Sequence, residues 1–266
     1  MRNALKEIDV ILLCGGKGTR LKEETDTRPK PMVDIGGRPI LWHIMKYYSS
    51  FGFRRFILAL GYKADVIKKF FYDYRLISSN FTIHLNPKIE PNIHSVSDEC
   101  DWEIVCVDTG LHTLKGGRIK RLESFIRSER FHLTYGDGLS DVDLYRLDHF
   151  HRNHGKTGTV TAVHPPSRFG EMTIDGDFVT EFLEKPQLQS GYINGGFFVF
   201  NSSFLNVLTA DEACDLEFGA LQKLSRDRQL ATYKHDGYWQ CMDTLRDRQY
   251  LEKLWNDKHP PWKNWP

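Results

Sequence analysis

Short, almost uninterrupted apolar runs, spaced through the first 160 residues, constrain this chain more than any other feature. They are VILLC (Val10–Cys14), RFILAL (Arg55–Leu60), FTIHL (Phe81–Leu85), EIVCV (Glu103–Val107), FHLTY (Phe131–Tyr135) and TVTAV (Thr159–Val163). Several are apolar at nearly every position, which fits strands covered on both faces rather than half-exposed ones. Between the first two, PILWHIMKYYSSFG places Ile40, Ile44, Tyr47, Tyr48 and Phe51 at helical spacing, with Pro39 near the start and Gly52 near the end. ADVIKKFFYDY and DLYRLDHFHRNHG also read as helices, the second closed by Gly155. This alternation predicts an α/β fold: a right-handed βαβ array around a mostly parallel sheet.

Beyond residue 160 the pattern changes. EMTI, FVTEFL and GYINGGFFVF read as shorter strands with little helix between them. They predict a smaller, partly antiparallel extension of the same sheet. With no linker, repeat or low-complexity tract, the chain reads as a single domain of two halves, about 8–160 and 160–266. The last stretch, KHPPWKNWP, has three prolines and two tryptophans. It is poor helix material and is expected to dock on its own core or on a neighbouring subunit.

Composition narrows the partners. The 266 residues carry 36 basic and 35 acidic side chains, a formal net charge of +1. That balance provides no electrostatic case for nucleic acid or a membrane surface. Cys14, Cys100, Cys106, Cys214 and Cys241 include no CxxC pair, so reduced cysteines are expected rather than a disulfide framework or a zinc site. Lys6, Glu7 and Asp9 precede the first apolar run, which is unlike a signal peptide, and no apolar stretch approaches the ~20 residues of a membrane span. The expectation is a soluble, cytoplasmic protein.

Ligands of a parallel sheet gather at the carboxyl ends of its strands. VILLC runs into Gly15-Gly16-Lys17-Gly18-Thr19-Arg20. Glycines let backbone approach a polyphosphate, and successive N–H groups form an anion-binding nest. A dinucleotide fingerprint would need glycine at Leu21, and a Walker loop would need a later GK[ST]; both fail. A structural tight turn is the plainer alternative. Lys22, Arg28 and Lys30 follow closely, the last inside RPKPM. Prolines on both sides of Lys30 stiffen its backbone and aim its amine, while Arg20 offers a planar fork for phosphate oxygens.

Asp137 lies in TYGDG between two glycines at the end of a strand, followed by the DLYRLDHF helix rather than a return strand. A carboxylate at this edge suits Mg²⁺, which takes one or two protein carboxylates together with substrate phosphates. Its partner is expected to be distant, and Asp243 in YWQCMDT is the choice. FLEKP ends an apparent strand with Glu184 and Lys185. Asn194 interrupts an apolar strand beside Gly195 and Gly196. A buried asparagine without a partner costs ~1–3 kcal/mol, so Asn194 is expected to bond backbone or ligand.

VILLCGGKGTRL with RPKPM resembles the signature of the sugar-1-phosphate nucleotidyltransferases. EETDTRPKPMVDIGGRPILWHIMKYYSSFG, VDTGLHTLKGGRIKR, TYGDG, RFGEM, INGGFFVF and YWQCMDTLRDRQYLEKLW are similar to its cytidylyltransferase branch acting on glucose 1-phosphate. The motifs keep the family's order from about Ile8 to Trp265. The resemblance implies a Rossmann-like three-layer nucleotidyltransferase fold, a homo-oligomer, and transfer of CMP from CTP to a hexose 1-phosphate with release of pyrophosphate.

It also implies roles by motif. Leu13, Gly15, Gly16, Gly18, Thr19 and Arg20 would hold the nucleotide, and Lys30 its phosphates. Thr109, Gly110, Gly117 and Arg118 fall in the cytidine-side stretch. Asp137 and Asp243 would carry Mg²⁺. Tyr135, Gly136, Glu184, Lys185, Asn194 and Gly195 would face the sugar phosphate. Arg20, Lys30 and Asp137 would be catalytic. Two positions depart from the pattern: Cys14 replaces a usual alanine, and DLEFGAL (Asp215–Leu221) replaces a tryptophan–glutamate–proline–leucine pattern beside the sugar. The acceptor thus stays open between glucose 1-phosphate and another sugar or polyol phosphate. A non-catalytic nucleotide-sugar sensor is the alternative outside the enzymes.

Overall fold

The computed structural model describes residues 5–86, 90–95, 99, 101–165, 171–176, 178–183, 191–257 and 259–265. Eight strands form its main sheet: β1 (Asp9–Leu13), β2 (Arg55–Leu60), β3 (Glu103–Asp108), β4 (Arg130–Tyr135), β5 (Gly158–Val163), β6 (Ile193–Asn194), β7 (Phe198–Asn201) and β8 (Leu230–His235). The order across the sheet is β6-β5-β7-β4-β1-β2-β3, with β8 also paired to β5. β1 lies between β2 and β4 and is parallel to both, and β2 is parallel to β3. β7 runs antiparallel to both β4 and β5. The sheet is therefore mixed and mostly parallel, as the apolar runs predict, and it is shared by both halves of the chain.

Period-two alternation explains why the strands are apolar on both faces. Val10, Leu12, Phe56 and Leu58 point into one apolar cluster, and Ile11, Ile57, Ala59 and Leu133 into another. The first cluster is closed by helix α1 (Ile40–Ser50) through Ile40, Ile44, Met45 and Tyr48, and by helix α2 (Ala64–Tyr72) through Ile67. Helix α3 (Leu144–His154) and helix α4 (Leu245–Asn256) add Leu144, Leu147 and Leu251. The second cluster is closed by Ile119 of the short Lys115–Lys120 helix and by Leu216, Ala220 and Leu224. Helices on both faces of one sheet make three layers. Asp143 caps α3 through Arg146 N–H, and Gly155, at φ 67, ends it in the left-handed conformation that favours glycine.

Four expectations are corrected. Only Phe81–Thr82 of the FTIHL run is strand, paired with Asn92–Ile93 outside the main sheet. Phe81, Ile83 and Leu85 are exposed, so no layer covers that run. EMTI and FVTEFL pair with each other as a separate hairpin rather than extending the sheet. The run GYINGGFFVF is not one strand. Continuing the Ala162–Asn194 register would pair Thr159 with Phe197, but Thr159 pairs with Val199, so two extra residues bulge out between β6 and β7. Gly196 (φ 75) and Phe197 (φ 47) take up the left-handed turn this requires. Finally, Asn194 is exposed rather than buried, as are Tyr192 and Ile193 just before it.

The tryptophan tail docks on its own core. Trp262 is fully buried, and its indole N–H donates to His43 Nδ1 at 3.4 Å. Trp255 and Trp265 pack their rings against His43 and Trp42. Among the described residues, Cys14, Cys106, Cys214 and Cys241 are free, and no helix is long and apolar enough to cross a membrane.

Candidate active site

The glycine-rich turn leaves the carboxyl end of the central strand and is tied to the strands on either side. Leu13 carbonyl accepts from Gly136 N–H at 3.2 Å, Cys14 N–H donates to Ala59 at 3.0 Å, and Gly15 carbonyl accepts from Tyr62 N–H at 3.2 Å. Gly15 is required by crowding: a Cβ there would lie 2.3 Å from the Arg118 guanidinium carbon. Gly18 has φ 64 and opens the 3₁₀ turn Thr19–Leu21, while Thr25 Oγ1 donates to the carbonyls of Gly18 and Leu21. Gly16, Lys17, Thr19 and Arg20 are exposed along the rim.

RPKPM folds as a 3₁₀ turn over Lys30–Met32, with Pro29 extended before it. The turn drives Lys30 inward until only 9% of the residue is exposed. Its ammonium lies 2.5 Å from Asp137 Oδ2 and 2.5 Å from Asp243 Oδ1. Arg20, with 69% of its side chain exposed, reaches Asp243 Oδ2 at 2.6 Å. A small antiparallel ribbon makes this meeting possible. Gly138–Ser140 pairs with Trp239–Cys241, Gly138 opposite Cys241. The residue before one strand and those after the other must then converge, and Met242 N–H donates to the Asp137 carbonyl at 2.9 Å. Burial alone pushes the Asp243 carboxyl up. The hydrogen bond and charge of Lys30, with the charge of Arg20, outweigh it and hold the group below the ordinary carboxylate range.

The opposite wall is a hydrogen-bonded chain. Asn194 Nδ2 donates to Tyr135 Oη at 3.0 Å, and Tyr135 Oη donates to Glu217 Oε1 at 2.9 Å. Glu217 also pairs with Lys115, whose ammonium stands 5.1 Å from the centre of the Tyr135 ring. Burial first, and the Glu217 charge second, push the Tyr135 phenol up, so it stays a donor. Asn194 Oδ1 accepts from Gly196 N–H at 2.9 Å, and Trp239 Nε1 donates to the Gly195 carbonyl at 2.8 Å. The bulge is thereby held from both sides. DLEFGAL forms a single π-helical turn, Leu216–Leu221, capped by Asp215 on Phe218 N–H, and this turn carries Glu217 to the wall.

The two walls enclose a cleft of about 570 Å³. Of the residues the sequence singles out, Leu13, Gly15, Gly16, Gly18, Thr19, Arg20, Lys30, Arg118, Tyr135, Gly136, Asp137, Asn194, Gly195 and Asp243 all line it. Thr109, Gly110 and Gly117 do not. Thr109 is buried with Oγ1 donating to the Leu60 carbonyl at 2.6 Å, and a Cβ on Gly117 would lie 2.3 Å from the Asp211 carbonyl oxygen. They pack behind the cleft. Arg118 lines the cleft and also has a structural part. It is buried and donates to the carbonyls of Leu60, Gly110, Gly15 and Leu111 and to Thr109 Oγ1. Its guanidinium ties the glycine-rich turn to the strand ends beneath it. Glu184 and Lys185 lie outside the described residues.

Thr113, Lys115, Glu217, Trp239 and Cys241 line the cleft without having been singled out. Lys115 sits directly before Gly116 and Gly117, and Glu217 inside DLEFGAL, so both stand in flagged stretches. Nothing local marks their orientation. The donor set is informative about metal. Two carboxylates converge, but no group of three His, Cys, Asp or Glu side chains capable of holding a metal occurs among the described residues. Such a pair fits a hard cation that completes its shell with water and substrate phosphate, and does not fit a closed protein cage.

The model of the family described as "Nucleotidyl transferase" matches residues 9–254. The chain belongs to the nucleotidyl transferase family. It is 46% identical over 256 residues to the glucose-1-phosphate cytidylyltransferase of Salmonella typhi, covering 96% of this chain and 98% of that one. The crystal structure of HddC from Yersinia pseudotuberculosis is 26% identical and superposes with a TM-score of 0.62, covering 93% of this chain and 99% of the other. A UDP-glucose pyrophosphorylase in complex with UDP-glucose shares the fold, with a TM-score of 0.66 at 15% identity and coverage of 95% and 99%. In this nucleotidyl transferase the cleft lies where the fold gathers its ligands, at the carboxyl ends of β1 and β4.

Proposed function

We propose that this nucleotidyl transferase is a glucose-1-phosphate cytidylyltransferase, moving CMP from CTP to α-D-glucose 1-phosphate to give CDP-glucose and pyrophosphate. One observation carries the reading: Arg20, Lys30, Asp137 and Asp243, from four separate segments, meet in one charged cluster at the mouth of the glycine-rich turn. The 46% identity to a Salmonella typhi enzyme of that name supplies the base and the sugar.

A sugar phosphate oxygen attacks the α-phosphorus of CTP; the new P–O bond forms as the α–β bridging bond breaks and its electrons leave with pyrophosphate. A phosphate monoester with a second pKa near ~6 is already dianionic at pH 7, so no general base is required. No histidine occurs among the described residues lining the cleft. The protein's task is to bring two polyanions together in line. The N–H groups of the Gly15–Thr19 turn cradle the triphosphate, and Arg20 and Lys30 neutralise charge gathering on the leaving pyrophosphate. Asp137 and Asp243 would hold a divalent cation, with Mg²⁺ the ion of choice; when bound it supplies Lewis-acid stabilisation of the phosphoryl oxygens. Tyr135, Gly136, Asn194 and Gly195 orient the acceptor, joined by Glu184 and Lys185.

Residues 8–160 then form a nucleotide half and 160–266 a sugar-phosphate half of one domain. On family grounds we read the protein as a cytoplasmic homo-oligomer. The test is a matrix of four nucleoside triphosphates against several sugar and polyol phosphates, with pyrophosphate release as readout. Release with CTP and glucose 1-phosphate above all other pairs is the expected result. Activity with UTP or dTTP but not CTP overturns the base assignment, a different preferred acceptor overturns the sugar, and no release from any pair favours a sensor.

A further inference from the structure

Lys30 stands where its role on phosphates does not put it. Its ammonium touches both carboxylates that the proposed reaction reserves for a divalent cation, each at 2.5 Å. Two oxygens that are each 2.5 Å from one nitrogen are at most 5.0 Å apart, twice that distance. One oxygen of each carboxylate, Asp137 Oδ2 and Asp243 Oδ1, thus faces the same point, and that point is filled. The charges close as well: two carboxylates are met by the ammonium of Lys30 and the guanidinium of Arg20. A divalent ion arriving alone would meet a neutral cluster and a resident cation in contact with its ligands.

We propose that Lys30 is a resident counter-cation of the Asp137–Asp243 pair, holding their joint metal position closed until a triphosphate draws the ammonium away. The second half rests on the reading of the cleft as a triphosphate site. Lys30, Arg20 and the open rim of the glycine-rich turn all line the same cleft, so phosphate oxygens entering it offer both cations a new partner. Releasing Arg20 costs little, since its side chain is largely exposed and water screens the ion pair. Lys30 is the determining group: it is 9% exposed, its backbone is fixed by Pro29 and Pro31, and a buried ammonium leaves one anion only for another. Metal and nucleotide therefore bind as a linked pair, each raising the affinity of the other by the same factor. A triphosphate that ligates the ion contributes to this linkage by itself, so the part owed to Lys30 is the part that replacing Lys30 removes.

Binding of Mn²⁺, followed by the electron paramagnetic resonance signal of the free ion, tests this without turnover. It is measured on the wild type and on Lys30→Met and Lys30→Gln, each with and without α,β-methylene CTP, with the Mn²⁺ chelated by the analogue alone subtracted. For the wild type, weak Mn²⁺ binding alone and a tightening of at least about tenfold with the analogue are expected, within the usual range of coupling between sites. In the variants, Mn²⁺ alone binds at least about tenfold tighter than to wild type. Wild-type Mn²⁺ affinity that is the same with and without bound analogue overturns the proposal, as does unchanged Mn²⁺ affinity in folded variants. Calorimetry of the analogue in the same samples separates the two readings. Absence of analogue binding counts against the triphosphate site, while the gain of Mn²⁺ affinity in the variants still decides the role of Lys30.

Discussion

The ammonium of Lys30 and the carboxylate of Asp137 are 107 positions apart in the chain and 2.5 Å apart in the fold. The contact joins the turn after the glycine-rich loop to the end of β4, across the floor of the cleft. Replacing Asp137 by asparagine keeps the shape but removes one of two carboxylates that would share the metal. Turnover, read as pyrophosphate release, is expected to fall by ~10²-fold or more, comparable to losing one transition-state donor. Near-normal turnover in the folded variant would remove the proposed mechanism.

Arg20 is expected to separate chemistry from stability. Its side chain is 69% exposed and its contact with Asp243 is a rim ion pair. Arg20→Ala should leave the urea midpoint nearly unchanged, since such pairs contribute about 0–1 kcal/mol. Turnover should drop by ~10²-fold or more, because the fork is needed where charge develops. A large loss of stability with normal turnover would reverse this assignment.

Arg118 should show the opposite balance. Its guanidinium satisfies four backbone carbonyls and the Thr109 hydroxyl. Arg118→Met removes all five hydrogen bonds of one buried guanidinium and unties the glycine-rich turn from the strand ends, a loss on the order of 3 kcal/mol. Arg118→Lys should recover little of it, because an ammonium lacks the planar fork that spans separate carbonyls. Urea denaturation of the two variants measures both quantities; wild-type stability in Arg118→Met would show that the contacts hold nothing together.

His43 carries a pH dependence whose sign is fixed by its two partners. Nε2 faces the Ile35 carbonyl at 2.8 Å, and Nδ1 accepts from the indole of Trp262. Only the neutral ring with its proton on Nε2 satisfies both. Burial above all, with the charge of Arg38 adding to it, lowers the pKa from 6.5 to about 4. Above pH 6.5 both folded and unfolded chains carry the neutral ring, and the stability is intact. As pH falls from 6.5 towards 4 the unfolded chain takes up a proton that the folded chain refuses, so stability is lost on the acid side. The loss should reach about 3 kcal/mol, at 1.36 kcal/mol per unit. Denaturation curves at pH 7.5 and 4.5 should show a smaller difference for His43→Phe than for wild type. Equal differences would place the acid sensitivity elsewhere.

Local sequence carried the parts of this protein governed by short-range physics. Alternating burial along VILLC, RFILAL and FHLTY requires both faces of a strand to be covered, and the capping of α3 by Asp143 and Gly155 is written within a few residues. The glycine-rich turn and RPKPM likewise announce a close backbone approach and an aimed lysine. What local signals do not contain is pairing over long separations. FTIHL and EMTI are apolar enough for the main sheet, but no neighbouring layer or open edge takes them in. The meeting of Asp137 with Asp243 depends on the Gly138–Cys241 register, and the break in GYINGGFFVF on a two-residue bulge between β6 and β7. The clamp of Arg118 on four carbonyls likewise exists only because β1, β2 and its own helix pack together. Loop closure and packing are properties of the whole chain, so tertiary structure alone decided which of the marked residues face one another.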